Sequence, residues 1–131
     1  MAITVTHHLS LVHAVLARYD IPVDWLEVVP DVQQWCKSHQ IPESNPHRAA
    51  KCFTTKERCH IVMRDDQTDS MIESAKSLMA LNGLEEEVEN LRDDTLYLLH
   101  LLLHEIACFK LQDTEQTSRD QWAFEEMVRS E

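Results

Sequence analysis

The run LLHLLLHEIACFKL, residues 98–111, places two histidines, a glutamate and a cysteine among apolar residues. His100, His104 and Cys108 recur at i, i+4 and i+8, a spacing that lines one face of a helix. The segment His104-Glu105-Ile106-Ala107-Cys108 is one residue away from HExxH. In that motif two imidazoles one turn apart share a zinc ion, and the intervening glutamate activates the metal-bound water. Here a thiolate, shorter than an imidazole, stands in the second ligand position. His100 and His104 form a second i, i+4 pair, with Leu101 where the base would be; that register suits a structural metal without the catalytic arrangement. Cys108 beside either histidine also reads as a nucleophile, for which the sequence shows no evident Asn or Asp orienter.

These side chains need a helix to carry them. Asp93-Asp94 is suited to cap a helix over about Thr95–Leu111, its negative charge matching the positive helix start. The leucines of this span leave almost no polar face, so a central, buried helix is expected. Burying a polar group without a partner costs roughly 1–3 kcal/mol. The histidines, Glu105 and Cys108 must therefore satisfy one another, line a cleft or hold a metal.

Upstream, residues 7–19 place Leu9, Val12, His13, Leu16 and Tyr19 on one helical stripe, with Thr6 as N-cap. Residues 24–39 read as helical, with Pro30 starting or kinking the second half and Asp31–Ser38 as its firmer part. HQIPESNPH is a loop. Residues 50–54 and 58–64 read as a β-hairpin. TDSMIESAKSLMALNG is a helix with Ser70 and Glu73 in a capping-box relation and a stop at Asn82-Gly83. LEEEVENL begins a further helical segment with a solvated acidic face. SRDQWAFEEMVRS is the last helix, capped by Thr117 or Ser118, with Trp122, Ala123 and Met127 inward. Trp25, Trp35 and Trp122 are expected to anchor the core. The sum is one α+β domain over residues 1–131, mostly α: N-terminal helices in 1–44, then a hairpin and the buried motif helix in 45–131.

Composition narrows the function classes. The chain has 23 Asp+Glu against 12 Lys+Arg, a net charge of −11. That argues against binding nucleic acid phosphates and against anionic membrane surfaces. The single glycine, Gly83, excludes a Gly-rich phosphate loop. No apolar run reaches membrane-spanning length, and the N-terminus lacks the basic and apolar regions of a signal peptide. A cytoplasmic setting is expected, with Cys36, Cys52, Cys59 and Cys108 as free thiols or metal ligands. Cys36-x2-His39 and Cys52-x6-Cys59-His60, with His47 between, match no common zinc-finger spacing and read as core or loop residues. Cys59 and His60 are expected on opposite faces of a strand.

TLYLLHLLLHEIACFKL, followed after a short connection by RDQWAFEEM, resembles the small zincin-like metallopeptidases, including the repressor-cleaving peptidases of mobile elements. The resemblance covers residues 45–128. It implies a zincin-like fold in which a hairpin precedes the motif helix and its edge strand holds an extended substrate by strand addition. It implies zinc as cofactor, His104 as first ligand and Glu105 as catalytic base. Cys108 departs from the family's second histidine. Asp120, Trp122 and Ala123 match the downstream pattern, while Ser118 stands where the third ligand, a glutamate, is usual. Glu115 then becomes the nearest substitute, with Asp113, Asp120 and His100 behind it. Two functions follow: zinc-dependent peptide hydrolysis, or a catalytically inactive zincin-like scaffold that binds a peptide or protein partner through its cleft, edge strand or acidic surface.

Overall fold

A computed structural model describes residues 2–54, 58–111 and 115–129. Its centre is a three-stranded sheet in the order β2-β4-β3. Strand β3 (Ala50–Thr54) and strand β4 (Cys59–Arg64) form the expected antiparallel hairpin, with Cys52 opposite Ile61 and Thr54 opposite Cys59. Strand β2 (Leu26–Val29) lies parallel to β4 on its other side, Leu26 opposite Ile61. This strand corrects the helical reading of residues 24–29: only a single 3-10 turn, Val23–Trp25, precedes it. The N-terminal part is thus not helical throughout.

β4 is apolar on both faces because it is covered on both. Cys59, Ile61 and Met63 point into the main core, while Val62 points into a smaller cluster with Val29, Val32 and Cys36. Helix α2 (Val32–Ser38) closes that second face, its N-terminus capped by Asp31 accepting from the Gln34 amide at 3.0 Å. Two short strands, β1 (Ile3–Thr4) and β5 (Asp66–Gln67), pair antiparallel beside the sheet. The buried Gln67 is half satisfied there: its amide nitrogen donates to the Ala49 and Arg64 carbonyls, while its side-chain oxygen finds no partner among the described residues.

Helix α1 (Leu9–Arg18) buries Val12, Val15 and Leu16. His13 is exposed, so the stripe lies one position round from the expected one. Thr6 does not cap this helix; it sits in the preceding 3-10 turn (Val5–His8) and its amide donates to Asp65 Oδ1. Helix α3 (Asp69–Met79) is capped by Thr68, accepting from the Met71 amide at 3.2 Å, which places Ser70 inside the helix. The helical path breaks at Asn82-Gly83, where Gly83 takes φ +90°, a left-handed conformation that glycine adopts without steric cost. Helix α4 (Glu85–Val88) follows with Glu85 and Glu86 exposed.

The motif helix, α5, spans Asp94–Lys110, and Asp93 accepts from the Leu96 amide at 2.8 Å. Leu98, Leu102, Leu103, Ile106 and Ala107 are fully buried. α5 packs on helix α6 (Gln116–Arg129), on α1 and on β3. Because α6 begins at Gln116, Thr117 and Ser118 lie within its first turn and not at its cap. Ala123, Phe124 and Met127 face the core, with Trp122 at its margin. Trp25 and Trp35 are likewise half-buried: Trp25 meets Phe109 edge-on, and Trp35 stacks between His39 and His60. No described helix is long and apolar enough to cross a membrane.

Candidate functional site

The polar residues of α5 meet two different neighbours. Toward α6, Asp120 Oδ1 receives hydrogen bonds from both histidines: His100 Nε2 at 3.0 Å and His104 Nδ1 at 2.7 Å. The i, i+4 spacing sets the imidazoles one turn apart, and α6 brings one carboxylate against the pair. All three side chains are buried or nearly so, His100 at 3% and Asp120 at 14% exposure. Burial raises the Asp120 pKa, but hydrogen bonds from His100 and His104 outweigh it and hold the carboxyl at about 2. Burial pushes His100 below its ordinary value, against the pull of Asp120. His100 is therefore a neutral ring donating through Nε2. Its Nδ1, buried without a partner among the described residues, is the bare acceptor nitrogen. Protonating that nitrogen would bury an unsatisfied N–H.

Toward the sheet, Cys108 Sγ lies 3.9 Å from the Cys52 carbonyl oxygen, a weak contact as a thiol donor. Cys52 Sγ lies 3.1 Å from Cys59 Sγ. All three thiols are free; Cys59 is fully buried, Cys52 and Cys108 half-buried. A hydrogen bond from the Cys52 thiol stabilises the Cys108 thiolate and, with Arg119 and His104 against burial, brings Cys108 down to about 7. The same bond, with that to Cys59 and burial, pushes the Cys52 thiol up.

Glu105 is 8% exposed, and burial raises its pKa in spite of His104, Arg119 and Arg48. Enclosure of this kind disfavours the charged carboxylate. Glu115 precedes α6 and is exposed, a turn and more from Asp120. Asp113 lies outside the described residues.

The structure thus brings together His100, His104 and Asp120, the second histidine register with the downstream aspartate. It does not bring Cys108 and Glu115 onto His104 as a ligand set. The zinc implied by the resemblance requires convergent donors, whereas the His104 Nδ1 faces α6 and the Cys108 sulfur faces β3. Among the described residues no group of three or more His, Cys, Asp or Glu side chains is arranged to hold a metal ion. These residues do not fit a zincin centre.

The thiol group was not legible as a unit in the sequence, since Cys108 is far from Cys52 and Cys59 along the chain. The alternation of β3 and β4 was the available signal: Cys52 and Cys59 lie on the core-facing side. His60 lies on the other, 3.6 Å from Glu27 Oε1. Cys36 sits in the smaller cluster, apart from the other thiols. His39 stacks on Trp35 at 3.9 Å. Compared with the profiles of known protein families, with curated proteins and with solved structures, the chain matches none.

Proposed function

We propose that this chain is a zincin-like scaffold that binds an extended peptide segment of a protein partner without hydrolysing it. The observation that carries this reading is the junction of the motif helix with α6. Asp120 accepts from one nitrogen of His100 and one of His104 and so joins α5 to α6, and among the described residues no group of donors converges beside them to hold a metal. Burial also disfavours the charged form of Glu105, which is 8% exposed and so poorly placed to reach a water in an open cleft.

The binding half of the proposal rests on the sheet. Among the described residues β3 pairs only with β4 and lies at the sheet edge, against the motif helix. Alternate backbone groups of an edge strand point away from the sheet and can receive an added strand. The net charge of −11 favours a cationic segment.

Metal stoichiometry tests the first half. After zinc repletion and desalting, the wild type and His104→Ala should carry equally little zinc. One zinc per chain, lost in His104→Ala and accompanied by Glu105-dependent proteolysis, would overturn the proposal in favour of a peptidase. For the second half, lysine-rich extended peptides selected from a display library are titrated into isotope-labelled protein. Amide shifts concentrated at residues 50–54 are expected; shifts elsewhere, or no binder, would sink the strand-addition reading.

A further inference from the structure

The three thiols play no part in the peptide-binding proposal, yet they converge from three elements. Cys52 on β3 and Cys59 on β4 are diagonal neighbours across the hairpin, on the face that meets α5. Their sulfurs are 3.1 Å apart, about 1 Å longer than a disulfide bond. Diagonal pairs start at the upper limit of bridgeable backbone separation. This pair sits at the hairpin's end, where Thr54–Cys59 is the last register pair, so the closing movement distorts little of the ladder. Cys108 approaches the same strand from α5, 3.9 Å from the Cys52 carbonyl, and like Cys52 is half-buried and reachable from solvent.

We infer that Cys52, Cys59 and Cys108 form a reversible thiol–disulfide site, in which Cys108 receives the oxidising equivalent from a low-molecular-weight disulfide and Cys52–Cys59 stores it. The Cys108 thiolate attacks one sulfur of the disulfide RS–SR; that S–S bond breaks, RS⁻ leaves, and a Cys108–SR mixed disulfide forms. Cys52 attacks the Cys108 sulfur, its proton passing to the departing second thiolate, giving a Cys52–Cys108 bond. Cys59 then attacks the Cys52 sulfur and expels the Cys108 thiolate, the Cys59 proton passing to the first RS⁻. One RS–SR and two protein thiols become one protein disulfide and two RSH, with Cys108 regenerated. Excess reduced thiol reverses each step. Cys36, fully buried in the second cluster, takes no part and serves as an internal control.

The test uses the full chain and oxidised glutathione. Free thiols should fall from four to two. Nonreducing tryptic mapping should join peptide 52–56 to peptide 59–64 and leave peptides 19–37 and 93–110 unlinked. Dithiothreitol should restore all four thiols. Cys108→Ser should slow formation of the 52–59 link roughly tenfold, as expected when the entry thiol is lost. Cys52→Ser should instead accumulate one glutathione on Cys108, with far-UV circular dichroism confirming that the variant is folded. A thiol count that stays at four, or a link through Cys36, would overturn the site. An unchanged rate in Cys108→Ser would overturn the relay.

Discussion

Removing the Asp120 carboxylate tests the polar joint between α5 and α6. Asp120→Ala deletes the acceptor of two hydrogen bonds and leaves His100, 3% exposed, with neither ring nitrogen satisfied by that carboxylate. A buried polar group stripped of its partner costs about 1–3 kcal/mol. The lowered pKa gives a second route: holding the carboxyl at about 2 instead of its ordinary 3.8 corresponds to about 2 kcal/mol at 1.4 kcal/mol per tenfold. Both routes converge on a loss of about 2–3 kcal/mol, or roughly 10 °C in Tm for a chain of this length. Urea unfolding followed by tryptophan fluorescence measures it. The pH dependence is equally specific. The Asp120 contribution is complete above 3.8 and vanishes as pH falls through about 2. His100, held below its ordinary 6.5, acts in the same direction: the unfolded chain takes up a proton that the folded ring declines, so stability falls as pH drops below 6.5. Asp120→Asn should narrow its gap to wild type as the pH falls. A loss under about 0.5 kcal/mol at pH 7, or a gap independent of pH, would refute the reasoning.

Other substitutions probe the remaining supports. Glu105→Gln should match or exceed wild-type stability at pH 8, and its advantage should shrink toward pH 4.5. The raised pKa of Glu105 means that wild-type stability is lost as pH rises from 4.5 through the folded value; thermal melts across that range read the difference. Asp93→Ala should cost about 1 kcal/mol by removing the α5 cap, measurable by denaturant titration. Leu103→Ala, at a fully buried position of α5, should cost about 2–5 kcal/mol and broaden amide signals along the β3 interface.

The parts readable from the sequence are those fixed by local chemistry. The motif helix, its Asp93 cap, the break at Asn82-Gly83 and the β3–β4 hairpin all depend on neighbours a few residues apart. Strand β2 does not. Leu26–Val29 is held by a parallel partner distant in the chain, and its short apolar run followed by Pro30 reads equally as a helix end. The caps of α3 and α6 shifted because several capping residues stand in a row, and only backbone geometry selects among Thr68, Asp69 and Ser70. The candidate site was half legible. Helical spacing gave the His100–His104–Cys108 face. Which of those residues meets Asp120, and which meets Cys52, is decided by the packing of α6 and β3 on either side of α5. The Asp orienter that the sequence did not reveal is Asp120, supplied by another helix.

Loop closure gives the parallel β2–β4 pairing a kinetic consequence. Leu26 and Ile61 are register partners roughly 35 residues apart, so closing that loop costs about 3 kcal/mol of chain entropy before any contact is made. The β3–β4 hairpin closes over a far shorter span and offers β4 a preformed edge. The shorter closure predicts that assembly runs hairpin first, with the N-terminal strand docking onto it late; pulsed hydrogen exchange should protect the β3 and β4 amides before those of β2. Until β2 arrives, Val62 and the face later sealed by α2 stand open to water. In the interval between hairpin formation and docking, β4 presents an unpaired apolar edge, the moment at which a nascent chain is most exposed to pairing with another copy of itself.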